Sequence, residues 1–316
     1  MIADPPGRYF VLLYHGVHAD DLELGHRNSS GKHVPRSRFA AEMRHLAANR
    51  PVVRLSDIAA AHRGERDLPA GAVAVTFDDG FYNNLAEALP VLEKFGVPAT
   101  FYLATGFIGT GRAIWTDRLE AAIVQTKRDR LTLVLSGVET RFPLTDRQSR
   151  LTALSAVKRA CKGLPNADKD IVVAEVEAQL QAQADPNHPL YRFLDWDDVR
   201  TMNRSPVVDF GAHTVDHVSL AKVPRAEMRR QIDDSVAALE SALQHRCTLF
   251  SYPEGQADDY DDHVIGHLRE RGFDHAPSAM AGSNDLGITN PFHIRRDMVG
   301  FENRPYPFMP QPKNAA

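Results

Sequence analysis

The stretch VTFDDGFYNN, residues 75–84, ends an apolar run with two adjacent carboxylates, Asp78 and Asp79, followed by Gly80. Successive side chains of a strand point to opposite faces of a sheet, so neighbouring aspartates can serve one site only if the backbone is already turning. A glycine permits such a turn. The stretch therefore predicts a buried strand that delivers two carboxylates where it stops, although an Asp-Gly pair alone also marks ordinary turns.

The composition indicates a globular protein with a substantial core. The chain has 316 residues, of which 43% are apolar, and this length suits one large α/β domain or two smaller ones. The 41 acidic and 37 basic residues are well mixed and give a net charge of −4, so no nucleic-acid partner is predicted. Two cysteines, Cys161 and Cys247, are too few for a disulfide framework and are interpreted as packing residues.

The N-terminal residues MIADPPGRYFVLLYHGV carry no basic segment, and their apolar stretch is shorter than the core of a signal peptide. This predicts a cytoplasmic protein, or a periplasmic one if an export segment is missing from the sequence. No run approaches the roughly 20 apolar residues of a membrane helix, so no transmembrane segment is predicted. The oligomeric state is left open.

Short β-rich runs alternate with helical patterns along most of the chain, which favours a parallel sheet, either open or closed into a barrel. The predicted strands cover residues 9–15, 72–79, 99–105, 207–213, 249–253 and 292–299. The predicted helices cover about 38–48, 85–95, 225–244 and 263–271.

Residues 106–192 interrupt this alternation. They are mostly amphipathic helix, with one weak strand candidate, LTLVL at 131–135. We interpret them as a helical insertion beside the site, within a single domain that spans residues 1–316. The alternative that they extend the outer helical layer stays open.

Further candidate residues for chemistry stand where predicted strands end. His213 ends the apolar run VVDFGA, and His217 follows four residues later, the spacing that places two imidazoles on one face of a helical turn. The stretch FSYPEG, residues 250–255, predicts a turn with exposed amides, and His15 in LLYHGV again ends a strand. Because parallel α/β proteins and barrels build their sites at this end of the strands, these segments are expected to meet.

These motifs, in this order, resemble the polysaccharide deacetylases of carbohydrate esterase family 4, which share the NodB homology domain. The family's T-F-D-D-G motif matches residues 76–80, its H-[ST]-x-x-H motif matches residues 213–217, and its Pro-aromatic-Gly turn corresponds to the YPEG turn. The resemblance covers about residues 9–105 and 194–300. It implies an α/β fold, a distorted (β/α) barrel of about seven parallel strands.

The sequence departs from the usual pattern of this family in three ways. Ser251 stands where an arginine is common, Glu254 stands where an aromatic residue follows the proline, and no late Leu-x-His motif follows the YPEG turn. Exopolysaccharide deacetylases with a circularly permuted motif order resemble the chain more closely. They carry an early Tyr-His pair, here Tyr14 and His15, whose histidine takes the place of the general acid.

The resemblance implies a role for each motif. Asp79, His213 and His217 are expected to bind one divalent metal ion, most simply Zn²⁺, with Ni²⁺ or Co²⁺ as alternatives, and to leave open positions for reactants. Asp78 is expected to act as the general base.

Three further roles complete the expected site. His15 is the candidate general acid, because imidazole titrates near neutrality. Either Arg295 or Arg296 is expected to orient Asp78 in place of the missing arginine. The residues expected to contact the substrate or the oxyanion lie in the YPEG turn: Tyr252, Pro253 and Glu254.

Together these assignments predict a metal-dependent hydrolase that removes N-acetyl groups from an N-acetylated sugar in a polysaccharide or a lipid-linked glycan. Two alternatives stay open. The chain could hydrolyse a non-sugar cyclic amide or imide, or it could be a non-catalytic carbohydrate-binding protein of the same fold.

Overall fold

The computed structural model describes residues 4–135, 137–162 and 164–308. The strands in these ranges are β1 (Arg8–Tyr14), β2 (Gly16–His18), β3 (His33–Pro35), β4 (Ala72–Phe77), β5 (Ala99–Leu103), β6 (Arg130–Leu135), β7 (Val138–Pro143), β8 (Val208–Ala212), β9 (Asn284–Asp285) and β10 (Asp297–Met298). The α-helices are α1 (Arg36–Asn49), α2 (Leu55–His62), α3 (Leu89–Phe95), α4 (Trp115–Gln125), α5 (Arg147–Lys162), α6 (Asn166–Leu180), α7 (Trp196–Met202), α8 (Arg225–Leu243) and α9 (Asp262–Glu270). Among the described helices, none combines the length and the apolar character needed to cross a membrane.

The main sheet is parallel and has the strand order β10-β1-β4-β5-β8, with the short β9 added antiparallel to β1. Every residue of β4, AVAVTF, is buried, as expected for a strand covered on both faces. Leu13 of β1 pairs with Thr76 of β4, so the two strands end together. The predicted strands that became β1, β4, β5 and β8 are thus confirmed.

Beyond β8 the sheet continues through two segments that lack full strand geometry. Ala212 forms a parallel bridge with Phe250, and Pro277 forms another with Ile294. The Tyr252 N–H donates to the Pro277 carbonyl at 3.4 Å and so joins these two segments. Because β10 follows shortly after Ile294 and pairs with β1, the ring closes. The predicted distorted (β/α) barrel of about seven strands is therefore confirmed.

Two predicted strands are shorter in the structure than the sequence suggested. The run 249–253 forms only the bridge at Phe250, because Pro253 has no N–H to donate to a ladder. The run 292–299 begins with a 3₁₀ turn over Pro291–His293, capped by the Asn290 side chain, which accepts from the Phe292 N–H. Strand geometry returns only at β10.

Aromatic rings pack between the strands and helix α1, close to the ends of β1 and β4. Phe77 stacks on Tyr14 with ring centroids 5.4 Å apart and on Phe101 at 4.8 Å. Phe39 of α1 meets both Tyr14 and Phe77 edge-on. This packed layer places the residues that follow β1 and β4 directly above a rigid core.

The segment 106–192 contains α4, α5, α6 and an antiparallel hairpin of β6 and β7. The weak strand candidate at 131–135 is β6, whereas β7 is strongly polar and was not predicted. Leu119, Leu131, Val157 and Val173 belong to a hydrophobic cluster formed within this segment. Its interpretation as an insertion within one domain stays a prediction.

Closure of the barrel predicts that residue 211 in β8 must be glycine. A Cβ atom there would lie 2.6 Å from the Tyr102 ring and 2.8 Å from the Leu249 carbonyl oxygen. We expect Gly211→Ala to lower the free energy of unfolding by about 1–3 kcal/mol, because neither neighbour has room to move. Urea denaturation measures this change.

Gly266 provides the matched control. It lies in α9, and a Cβ atom there would meet nothing within 4 Å. Gly266→Ala should raise the free energy of unfolding by about 0.5–1 kcal/mol. Equal effects of the two substitutions would contradict the closed packing around β8.

Candidate metal centre and active site

The candidate site lies at the carboxyl ends of the parallel strands. Asp78 and Asp79 directly follow β4, His213 directly follows β8, and His15 directly follows β1. Since these strands run parallel and are neighbours or near neighbours in the sheet, their ends share one edge of the barrel. The expected meeting of distant motifs is therefore observed.

The backbone turns at Asp79, which answers how two consecutive aspartates can face one site. Asp79 has a φ angle of 79° and Gly80 one of 95°, both in the left-handed region. The Asp78 N–H still donates to the Tyr14 carbonyl as a last bond to β1, at 3.0 Å. A Cβ atom on Gly80 would lie 2.9 Å from Leu103 Cδ2, so the position requires glycine for both conformation and space.

The two histidines are brought together by a loop, and the helical turn expected from their spacing is wrong. Thr214 and His217 both have left-handed φ angles, 64° and 51°, and the imidazole centroids lie 5.0 Å apart. The buried Gln231 of α8 holds the loop by accepting from the Val215 and Asp216 N–H groups at 3.0 and 2.8 Å. Gln231 was not expected at the site from the sequence, where its only signal is a polar residue on the buried side of α8.

Asp79, His213 and His217 can hold a metal ion. One ligand atom from each lies within 4.8 Å of the others, and Asp79 Oδ1 is 3.3 Å from His217 Nε2 and 3.9 Å from His213 Nε2. Asp79 Oδ1 is buried and, within the described residues, has no hydrogen-bond partner. One carboxylate and two imidazoles suit a catalytic divalent cation, and a buried oxygen without a donor is what such an ion would satisfy.

The surroundings place the donor atoms of His213 and Asp79 in states that favour metal binding. His213 Nδ1 donates to the Ser251 carbonyl at 2.9 Å, which leaves the lone pair of Nε2 facing the cluster. Burial lowers the pKa of His213 to about 4, so the ring is neutral at pH 7. Burial raises the pKa of Asp79, but the neighbouring His217 outweighs this and the pKa is lowered overall.

Asp78 forms a bidentate ion pair with a buried arginine. Arg296 donates through Nη1 to Asp78 Oδ1 at 2.8 Å and through Nη2 to Oδ2 at 2.7 Å, and its exposed fraction is 0%. Its Nε also donates to the Ser278 carbonyl at 2.6 Å. Burial raises the pKa of Asp78, yet Arg296 and His213 outweigh burial, so the pKa falls below its ordinary value. The carboxylate is therefore ionised at neutral pH.

Arg295 does not take part in this contact. Its side chain is exposed and donates to the Ala281 carbonyl at 3.1 Å. Adjacent residues of an extended chain point to opposite sides, which explains why only Arg296 enters the barrel. Of the two arginines considered for orienting Asp78, the structure places Arg296 on it and Arg295 away from it.

His15 is held beside the carboxylates by two asparagines that sequence analysis did not single out. Asn84 Nδ2 donates to the His15 carbonyl at 3.1 Å, and Asn83 Oδ1 accepts from the Val17 N–H at 3.3 Å. The His15 ring stacks on Phe301, with centroids 5.6 Å apart. Burial lowers the pKa of His15, and the charges of the two aspartates oppose that shift. The signal for the asparagines was their place three and four residues after Gly80 of the Asp-Asp-Gly turn.

The backbone of the YPEG turn is strained at Glu254, whose φ angle of 59° lies in the left-handed region. The Glu254 carboxylate lies 3.4 Å from Lys162 Nζ, at the end of α5. Within the described chain the Glu254 N–H donates to no acceptor. Pro253 is buried in the turn.

Tyr252 departs from the expected arrangement of this turn. Its ring stacks on Tyr260 with centroids 3.8 Å apart, and its hydroxyl donates to the Phe292 carbonyl at 3.2 Å. The side chain is thus engaged in packing, and the structure does not present it to a groove.

Comparison with known proteins identifies the class of this α/β barrel. The family model described as polysaccharide deacetylase matches residues 65–140 and 146–276, about two thirds of the chain, so the protein belongs to that family. The match includes Asp78, Asp79, His213 and His217 but does not reach His15 or Arg296.

One curated relative is similar in sequence, and two solved structures are similar in fold. YxkH of Bacillus subtilis (strain 168), whose name places it among the polysaccharide deacetylases, is 30% identical over 109 residues, which span 34% of this chain and 35% of YxkH. The fold is similar to that of IcaB from Ammonifex degensii, with a TM-score of 0.59 and 20% identity over 94% of this chain and 93% of IcaB. It is also similar to that of the Streptococcus pyogenes deacetylase PplD in complex with acetate, with a TM-score of 0.58 and 14% identity over 95% and 96% of the two chains.

The ion pair of Asp78 and Arg296 makes a prediction about stability. Arg296→Met would leave a buried carboxylate without its cation and should lower the free energy of unfolding by about 3–5 kcal/mol. The exposed neighbour gives the control, and Arg295→Met should change this free energy by less than about 1 kcal/mol. Urea denaturation at pH 7 compares the two variants.

The loss of stability in Arg296→Met should depend on pH. Because the folded pKa of Asp78 is lowered, its stabilising contribution is complete above the ordinary aspartate pKa of about 3.9 and is lost as the pH falls through the folded value. The difference between wild type and Arg296→Met should therefore shrink below about pH 4. An equal loss of stability in both arginine variants at pH 7 would contradict the assigned role of Arg296.

Proposed function

We propose that this protein is a metal-dependent hydrolase that removes N-acetyl groups from an N-acetylated sugar in a polysaccharide or a lipid-linked glycan. One observation carries the proposal: the cluster of buried Asp79, buried His213 and half-buried His217 lies beside the ion-paired Asp78 at the carboxyl ends of the barrel strands. Membership of the polysaccharide deacetylase family supports it.

Asp79, His213 and His217 would hold one divalent ion, for which Zn²⁺ is the first candidate and Ni²⁺ or Co²⁺ are alternatives. An ion bound there supplies Lewis-acid chemistry, since it polarises the amide carbonyl and makes a nearby water more acidic. Two imidazoles and one carboxylate leave room in its coordination shell for both reactants.

Asp78 would accept the proton of the attacking water. Its pKa is low, so the carboxylate is available as a base, and the bidentate bond from Arg296 keeps its orientation. Ser251 Oγ lies 3.5 Å from Asp78 Oδ1 and 2.7 Å from His213 Nδ1, and so connects the base with a candidate metal ligand.

The Glu254 N–H would stabilise the oxyanion that forms when water adds to the carbonyl. A free, preorganised backbone donor of this kind contributes about 3 kcal/mol to the transition state in hydrolases. His15 would give a proton to the departing amine. Since burial lowers the pKa of His15, the nearby aspartate charges are needed to keep the ring basic enough to be protonated.

Measuring both bound metal and acetate release in variants tests the roles of the two aspartates and the two histidines. Asp79→Asn, His213→Ala and His217→Ala should each lose bound metal by elemental analysis, because each removes one of the three donors. Asp78→Asn should keep the metal and lose acetate release from N-acetylated chito-oligosaccharides. If Asp78→Asn instead loses metal while its activity per bound ion stays normal, the two aspartate roles are reversed.

The acid role of His15 has its own test. His15→Ala should keep its metal and release acetate from an N-acetylated sugar about 10² to 10⁴ times more slowly. Hydrolysis of 4-nitrophenyl acetate should be affected far less, because its leaving group needs no proton. The exposed His26, changed to alanine, is the control. An equal loss on both substrates would show that His15 has a role other than that of an acid.

A further inference from the structure

A cavity of about 450 Å³ opens beside the candidate metal centre. One wall belongs to the loop that carries His217 and to α8, and the opposite wall is formed by α4 and α6. Its size lies within the range of small-molecule sites in proteins, about 300–1,000 Å³. The cavity therefore can admit a sugar unit that reaches His217.

Most charged groups of the cavity walls already form ion pairs with neighbouring side chains. Arg118 forms two hydrogen bonds with Glu177, at 2.9 and 2.6 Å. Arg112 Nη1 lies 3.1 Å from Asp216. Glu227 and Asp216 also meet Arg230 of α8, at 2.6 and 3.6 Å.

Lys169 is the exception. It lines the cavity with an exposed fraction of only 7%, yet within the described residues it forms no ion pair with a carboxylate. Its Nζ donates to the neutral Asn166 Oδ1 at 3.2 Å and lies 5.5 Å from the centroid of the Trp115 ring. Burial lowers the pKa of Lys169, and Glu254, the carboxylate that most opposes this shift, is already paired with Lys162.

A lysine is almost never this buried without a paired anion, because desolvating its charge is costly. A ligand that brings an anion into the cavity would relieve that cost. Trp115, which also lines the cavity, offers a flat apolar face of the kind that packs against sugar rings.

We propose that this cavity binds an anionic group of the glycan, a carboxylate or a phosphate close to the N-acetylated sugar, and that Lys169 is its cationic ligand. The inference rests on the proposed function, since it assigns the substrate of that same site. It narrows the substrate class from N-acetylated glycans in general to those with a negative charge near the reacting sugar.

Binding to the metal-loaded protein tests the proposal by isothermal titration. The probes are neutral N,N′-diacetylchitobiose, a disaccharide of N-acetylglucosamine and glucuronic acid, and N-acetylglucosamine 1-phosphate. At least one acidic probe should bind about 10 to 100 times more tightly than the neutral one, the usual gain from a hydrogen bond to a charged group. The two acidic arms distinguish carboxylate from phosphate.

Lys169→Met should remove the preference for acidic probes and leave the affinity for the neutral probe unchanged. Lys127→Met, at an exposed lysine outside the cavity, should retain the preference. If Lys169→Met does not fold, the salt dependence of binding to the wild type is the test. Raising the ionic strength should weaken the binding of the acidic probe and leave the binding of the neutral probe unchanged. Equal affinity of the wild type for neutral and acidic probes, or an unchanged preference in Lys169→Met, would overturn the proposal.

The outcome separates this inference from the function on which it rests. Acetate release with equal use of neutral and acidic glycans would overturn the anion site alone. A preference for acidic sugars that depends on Lys169, without acetate release from any substrate, would overturn the hydrolase and leave the anion site standing.

Discussion

Arg296 has no exposed surface, and its guanidinium is used on three partners inside the barrel: Asp78, Thr76 and the Ser278 carbonyl. Moving an arginine and an aspartate out of water is expensive, and such a pair often adds no net stability over apolar residues of the same size. The contribution of this ion pair here is to fix the positions of its two partners. The pair ties the last strand of the barrel to the end of β4, so the closure of the ring and the orientation of the candidate base depend on the same contact.

The backbone around the site is strained in a consistent pattern. Asp79, Thr214, His217 and Glu254 are non-glycine residues with left-handed φ angles, and all four lie in the segments that form the site. Each such conformation costs about 1–3 kcal/mol and persists only where the surroundings hold it. Here the aromatic layer between the strands and the helices, and the hydrogen bonds that the Val215 and Asp216 N–H groups donate to Gln231, hold the loops, so the side chains meet in an arrangement that relaxed strand ends would not produce.

The segment 106–192 is electrostatically joined to the site. Lys162 of α5 meets Glu254, and the buried Asp117 of α4 accepts from Lys32, whose charge in turn affects Asp79 and His15. These contacts place helices of this segment against the YPEG turn and the loop that precedes β3. The segment therefore borders the approach to the candidate metal centre, which is consistent with its part in the walls of the cavity.

The sequence by itself indicated the parallel α/β class and four of the barrel strands, because buried strands are encoded locally by residue type and spacing. The resemblance of its motifs to a known family singled out Asp79, His213 and His217 as candidate metal ligands. The sequence could not choose between Arg295 and Arg296, since either could face inward until the register of the last strand was known. It also could not predict the non-helical loop of His217, the packing role of Tyr252, or the contacts of Asn83, Asn84, Gln231 and Lys169. Only the tertiary structure decided these, because each depends on which distant segment lies opposite a side chain, and that follows from the closure of the barrel and not from any local pattern.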